Sequence, residues 1–107
     1  MSGTGPSGGQ WEARLLGAWR LLRAEPALEL QPGAVLDFRA GGQLFYTIEV
    51  AGQERTFVLV WRVVDDQLET ANPVDGHAMT ASVSIGEADV LVLDFTGPRA
   101  WFVRELG

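Results

Sequence analysis

Turn-forming residues recur roughly every eight to twelve positions after residue 30, and this spacing constrains the fold more than any other feature. The segments between the turns are rich in Val, Leu and aromatic residues, which are typical of strands. Short strands at regular spacing indicate an antiparallel sandwich or barrel rather than βαβ units. The sequence therefore predicts an all-β fold with strands over 34–39, 43–50, 55–64, 67–71, 77–85, 89–95 and 100–105.

The same turns predict the strand register, because neighbouring strands must place their apolar residues on one face of the sheet. A three-residue loop ending at Gly42, for example, sets Phe38 against Leu44. The last hairpin is predicted to turn at Gly97-Pro98. Loops chosen in this way predict these pairs: Phe38 with Leu44, Leu36 with Tyr46, Tyr46 with Phe57, Leu44 with Leu59, Val63 with Leu68, Trp61 with Thr70, Val83 with Leu93, Leu93 with Phe102 and Leu91 with Arg104.

The inner face that follows from this register carries many large apolar side chains. Tyr46, Trp61 and Met79 would suit a pocket for an apolar ligand with one polar group. An eight-stranded barrel is just wide enough for side chains or one small ligand, and the number of inward aromatic residues favours a filled core over a cavity. The predicted inner face consists of Leu36, Phe38, Leu44, Tyr46, Ile48, Phe57, Leu59, Trp61, Val63, Leu68, Met79, Ala81, Val83, Leu91, Leu93, Phe95 and Phe102.

The segment "LLGAWRLL" near the start of the chain admits two structures. Its apolar residues recur at helical spacing, which predicts a helix over about 11–24. Gly17 would lie inside such a helix and destabilise it by about 1 kcal/mol relative to Ala. A helical turn over 11–16 that gives way at Gly17 to a strand over 18–23 accommodates both observations, since glycine also lets a neighbour approach closely.

Four motifs, in chain order, resemble those of lipocalins and of the smaller bacterial lipocalin-like domains. They are G-x-W at Gly17 to Trp19, an F-x-x-[D]-G hairpin from Phe38 to Gly42 with Gly at the Asp position, W-x-V-x-x-D-x-L from Trp61 to Leu68, and a closing "WFVR" over 101–104. The chain departs from transport lipocalins in its short length, its lack of disulfides and the absence of a long lid loop.

The resemblance implies an antiparallel meander barrel of about eight strands that binds a small apolar ligand. It also implies a structural motif of Gly17, Trp19 and Arg104, in which Arg104 stacks across Trp19 at the closed end of the barrel. The register of the last strand places Arg104 on the inner face independently of the resemblance.

Composition limits the chemistry that the chain can perform. The net charge of −6 argues against binding to nucleic acid or to an anionic membrane surface. The chain has no Cys and no Lys, which excludes disulfides, thiolate metal sites and Schiff-base catalysis. Its Arg-only, Ala- and Gly-rich composition is typical of GC-rich bacterial genomes. No cofactor is predicted.

The domain organisation is simple. Residues 1–10, "MSGTGPSGGQ", have the Gly, Ser and Pro content of a flexible tail and lack the features of a secretory signal. No apolar run approaches the roughly 20 residues that span a bilayer. We therefore expect one domain over 11–107 and a cytoplasmic location.

Polar candidates for catalysis are few. His77 is the only histidine, and Asp75 beside it could orient a general base, but the surrounding Asn, Pro and Gly favour a turn. Asp65 and Asp66 occupy a predicted hairpin tip, and no carboxylate falls on the predicted inner face. We therefore predict no catalytic residues and no metal site.

The outer face carries an apolar patch on the last two strands. Val90, Val92, Trp101 and Val103 point away from the core and are predicted to form a homodimer interface. Alternatively, the 11–16 segment folds back and covers part of the patch through Trp11 and Leu15. Val58, Val60 and Val64 also point outward.

The sequence thus favours a binding or interaction module over an enzyme. An enzyme or carrier that acts on a small apolar substrate at the barrel mouth is the alternative from a different class, and a purely structural protein–protein interaction domain is another. A half-open sheet wrapped on an N-terminal helix, as in cystatin-like folds, is the structural alternative.

Overall fold

The computed structural model describes residues 7–28, 30 and 33–105. In chain order its elements are α1 (Ser7–Leu15), β1 (Gly17–Ala24), β2 (Val35–Arg39), β3 (Gln43–Val50), β4 (Gln53–Val64), β5 (Gln67–Ala71), β6 (Ala78–Ile85), β7 (Leu91–Asp94) and β8 (Arg99–Arg104), with short 3-10 turns at Pro26–Leu28 and Glu87–Asp89. Each strand pairs antiparallel with the next, and β1 also pairs with β8, so the sheet closes into a barrel. The predicted eight-stranded meander barrel is therefore confirmed, and a half-open sheet is excluded.

The connections divide between the two ends of the barrel. What we call the helix end carries α1 and the β2–β3, β4–β5 and β6–β7 connections. What we call the loop end carries the β1–β2, β3–β4, β5–β6 and β7–β8 connections. Each strand therefore extends from one end of the barrel to the other, and the position of a residue along its strand determines which end it lies near.

The predicted register is confirmed in most hairpins. The confirmation matters because a slip of one residue would turn every side chain of a strand to the opposite face. The pairs that agree are Phe38 with Leu44, Leu36 with Tyr46, Tyr46 with Phe57, Leu44 with Leu59, Val63 with Leu68, Trp61 with Thr70 and Val83 with Leu93.

The last hairpin turns one residue earlier than predicted. Its tip is Thr96-Gly97, whose φ angles are 65° and 123°, and the Phe95 N–H donates to the Pro98 carbonyl over 2.9 Å. A two-residue hairpin turn of this kind needs positive φ at both central positions, which proline cannot adopt, so the predicted Gly97-Pro98 tip is wrong. The resulting pairs are Leu91 with Phe102 and Leu93 with Ala100, in place of Leu91 with Arg104 and Leu93 with Phe102.

The N-terminal segment combines a helix and a strand, which decides between the two interpretations of "LLGAWRLL". The helix α1 begins at Ser7, four residues earlier than the predicted turn over 11–16, and so overlaps the end of the predicted tail; residues 1–6 lie outside the described residues. The strand β1 begins at Gly17, which adopts a φ of 108°. Within the described residues, no helix has the length and apolar character needed to cross a membrane.

Apolar side chains from α1 and from all eight strands fill much of the interior. Phe57 and Met79, which the register places on the inner face, are nevertheless 40% and 43% exposed. They lie towards the loop end, where β5 and β7, the strands that would flank them, stop short. The buried apolar residues are Leu15, Trp19, Leu21, Ala34, Phe38, Leu44, Trp61, Leu68, Ala81, Val83, Leu91, Leu93, Ala100 and Phe102.

Candidate functional site

The helix end is closed by a cluster built around Trp19. Its ring is buried, and its indole N–H donates to the Leu15 carbonyl of α1 over 2.9 Å. The guanidinium of Arg104 lies 4.0 Å from the centre of the Trp19 ring. The same guanidinium donates to the Leu16 carbonyl (2.6 Å) and the Arg14 carbonyl (2.7 Å), which lie at the end of α1. Arg104 therefore joins the last strand, the first strand and the helix, and the stacking that the resemblance implies is present.

Gly17 is needed in this cluster for two reasons. Its positive φ is one that L-residues with a side chain rarely adopt. A Cβ at this position would also lie 2.8 Å from Nη1 of Arg104, which is closer than non-bonded contact allows. The two constraints explain why glycine precedes Trp19 by two residues.

Trp61 belongs to the same end of the barrel. Its side chain is buried, its ring meets that of Phe38 edge-on at a centroid distance of 4.9 Å, and its indole N–H is shared between the Arg39 and Gln43 carbonyls (3.1 and 2.9 Å). It does not line the interior cavity described below. The prediction of Trp61 as a ligand-binding residue therefore gains no support from the interior cavity, because its indole fastens the β2–β3 connection.

An apolar cavity of about 150 Å³ occupies the barrel interior. Two small buried residues, Ala34 and Ala81, face it and leave space that larger side chains would fill. Leu28 and Leu30, from the β1–β2 connection, contribute to its wall at the loop end. The lining consists of Leu21, Leu28, Leu30, Ala34, Leu36, Leu44, Tyr46, Leu59, Leu68, Thr70, Met79, Ala81, Leu93, Phe95 and Phe102.

The lining residues with polar side chains are Tyr46 and Thr70, and no residue with a carboxylate, imidazole or guanidinium is among them. Within the described part of the chain, neither hydroxyl has a side-chain or backbone hydrogen-bond partner. Burial raises the pKa of the Tyr46 hydroxyl above its ordinary value of 10.0. Tyr46 and Met79 thus lie where the sequence predicted a pocket, whereas Thr70 was not among the predicted site residues.

A second, outer pocket of about 270 Å³ adjoins the cavity at the loop end. It shares Tyr46, Leu59, Thr70 and Met79 with the cavity, and Asp75 and His77 also border it. Asp75 accepts a hydrogen bond from the His77 backbone N–H over 2.8 Å, as expected of a turn. The lone histidine therefore belongs to a turn that also borders the pocket, and no group of three or more potential metal ligands occurs among the described residues.

The predicted interface patch is only partly exposed. Val92 and Trp101 are cross-strand neighbours on the outer face, and the guanidinium of Arg23 covers the Trp101 ring at 4.1 Å. The alternative in which the 11–16 segment covers this patch through Trp11 and Leu15 gains no support, because Leu15 is fully buried in the core and Trp11 packs against the same core. Val90 and Val103 are likewise half-buried, whereas Val58, Val60 and Val64 on the outer face of β4 are exposed.

Comparison with known proteins adds no family to this description: no family model matches the sequence, and no curated protein and no solved structure matches it either.

Proposed function

We propose that this chain is a lipocalin-like binding module that holds one small apolar molecule inside its barrel. The observation that carries the proposal is the cavity of about 150 Å³ with an almost wholly apolar lining. A hydrocarbon-lined cavity of about 150 Å³ in another protein binds benzene or xenon, so the volume is sufficient for a ligand of that size. The G-x-W motif, the stacking of Arg104 on Trp19 and the meander topology support the lipocalin-like assignment.

The division of the barrel into two ends supports the same proposal. The helix end contains Trp19, Trp61 and Arg104, whose polar groups bind neighbouring backbone carbonyls. The cavity lies beyond them, under the β1–β2 connection. A ligand would therefore enter at the loop end, and residues of the helix end would act on stability rather than on affinity.

The test is an NMR titration of the intact chain with methylcyclohexane. Met79 lines the cavity, so its methyl resonance should shift on binding. Trp fluorescence is a weaker reporter, because Trp61 lies outside the cavity lining.

Ala81→Leu should abolish the shift by filling the cavity. Ala78→Leu, on the same strand but outside the cavity lining, is the matched control and should leave binding intact. A parent protein whose Met79 methyl responds to no small hydrocarbon would contradict the proposal and favour a purely structural barrel.

A further inference from the structure

We propose that the ligand of this cavity is a small neutral molecule with one oxygen that accepts a hydrogen bond from Tyr46, such as a ketone or an alcohol. The inference rests on the proposed function and goes beyond it by naming the chemistry of the ligand. It follows from the placement of polar groups in a lining that is otherwise hydrocarbon.

The position of Tyr46 places the ligand's oxygen at one edge of the cavity. Tyr46 and Thr70 both line the inner cavity and the outer pocket, so their side chains stand at the boundary between the two. The remaining inner walls are hydrocarbon. A ligand would therefore point its apolar body towards the barrel interior and its oxygen towards these hydroxyls.

The state of the Tyr46 hydroxyl favours an acceptor on the ligand. A tyrosine hydroxyl carries its proton at pH 7, and burial, which penalises the tyrosinate form, raises its pKa further. No residue in the described ranges accepts that proton in a hydrogen bond. A ketone or alcohol oxygen satisfies the donor, whereas a pure hydrocarbon leaves it unused.

The charges around the site disfavour ionised ligands. The cavity lining offers no counter-ion, so a buried carboxylate or ammonium would lose its hydration without compensation. Asp75 and His77 border the outer pocket: the Asp75 carboxylate repels an anionic head group, and His77 is counted as neutral at pH 7. The net charge of −6 acts in the same direction.

The test compares four probes of similar size at pH 7: methylcyclohexane, cyclohexanone, cyclohexylammonium and cyclopentanecarboxylate. Each is titrated into the parent chain, Tyr46→Phe and Thr47→Val, with the Met79 methyl resonance as the readout. Thr47 is the matched control, because it is the next residue on β3 and its hydroxyl is paired with that of Thr56 at 3.0 Å. Comparing variants for one probe removes the difference in hydrophobicity between probes.

We expect Tyr46→Phe to weaken cyclohexanone binding by roughly 2- to 12-fold, the equivalent of one net hydrogen bond, and to leave methylcyclohexane binding unchanged. Thr47→Val should change neither. The charged probes should not bind at concentrations that saturate the site with cyclohexanone. The tyrosinate absorbance midpoint of Tyr46, the only tyrosine, should rise further when cyclohexanone is bound, because the ligand requires the protonated hydroxyl.

Two results would overturn the inference alone: equal cyclohexanone affinity of the parent and Tyr46→Phe, or binding of either charged probe as tight as that of cyclohexanone. In both cases binding of methylcyclohexane would leave the proposed function intact. A parent chain that binds none of the probes would overturn the inference and the proposed function together.

Discussion

Removal of the Arg104 side chain should destabilise the barrel through the loss of three contacts at once. Its guanidinium stacks on Trp19 at 4.0 Å and donates to the carbonyls of Leu16 and Arg14. The first contact holds β8 against β1, and the other two hold the end of α1 over the barrel. Arg104→Ala deletes all of them and leaves the strands' backbone ladder in place.

The magnitude follows from the geometry. A cation–π contact contributes about 0.5–2 kcal/mol. Each hydrogen bond adds about 0.5–1.5 kcal/mol net, taken here as an ordinary bond because the guanidinium is partly solvated. The expected loss in the free energy of unfolding is therefore about 1.5–5 kcal/mol. With a urea m-value of about 2 kcal/mol per M, the midpoint should fall by about 0.8–2.5 M.

The assay is urea unfolding followed by circular dichroism, with Arg23→Ala as the matched control. Arg23 stacks on Trp101 at 4.1 Å on the outer face, and within the described residues its side chain makes no hydrogen bond. Its removal should lower the stability by only about 0.5–1 kcal/mol, the range of an exposed cation–π contact. Equal losses for Arg104→Ala and Arg23→Ala would refute the reasoning that Arg104 fastens α1 to the barrel.

Three further predictions concern other parts of the chain. Gly17→Ala should lower the free energy of unfolding by more than about 1 kcal/mol, measured by the same urea assay, because it combines an unfavourable φ with a clash against Arg104; an unchanged midpoint would contradict the steric argument. Tyr46 has a folded pKa above its unfolded value, so it should titrate above pH 10.0 in the folded chain and near 10.0 in urea. The parent should therefore lose stability relative to Tyr46→Phe as the pH rises through that window. Coincident titrations of the folded and unfolded chains would refute the burial effect. A homodimer through Val90, Val92, Trp101 and Val103 stays a prediction, in which Val92→Arg should reduce the mass measured by light scattering to that of one chain, and a parent that is already monomeric at micromolar concentration would contradict it.

The strands and most of the register could be predicted because each hairpin carries local information. Alternating apolar residues fix which face is buried, and short turns fix which residues meet. The exception is the hairpin at "FTGPRA". A tip at Gly97-Pro98 and a tip at Thr96-Gly97 bury the same face of the last strand, so the alternation of apolar residues could not distinguish them. Only the backbone requirement of the turn, which Pro98 fails, distinguishes the two.

The site was harder to predict than the fold, because a cavity depends on where several strands place small and large side chains at the same level. Inward-pointing Trp61 looked like a pocket residue, yet its level along β4 places it at the helix end. Thr70 was predicted opposite Trp61 and could have been recognised as a polar group in an apolar row. Leu28 and Leu30 could not, because nothing local shows that the β1–β2 connection lies along the cavity.

The packing energy that an unfilled interior forgoes allows a binding site to be distinguished from a packing defect. At about 24 cal/mol per Å³, a cavity of about 150 Å³ is equivalent to about 3–4 kcal/mol of lost packing, which is a large fraction of the 5–15 kcal/mol that stabilises a typical domain. Ala34 and Ala81 could each be replaced by a larger apolar residue that recovers part of this energy. If the space were only a packing defect, Ala81→Leu would stabilise the chain without loss of any activity. If it is a binding site, the same substitution would stabilise the chain and abolish its response to methylcyclohexane and cyclohexanone, and a bound ligand would in turn stabilise the parent by mass action.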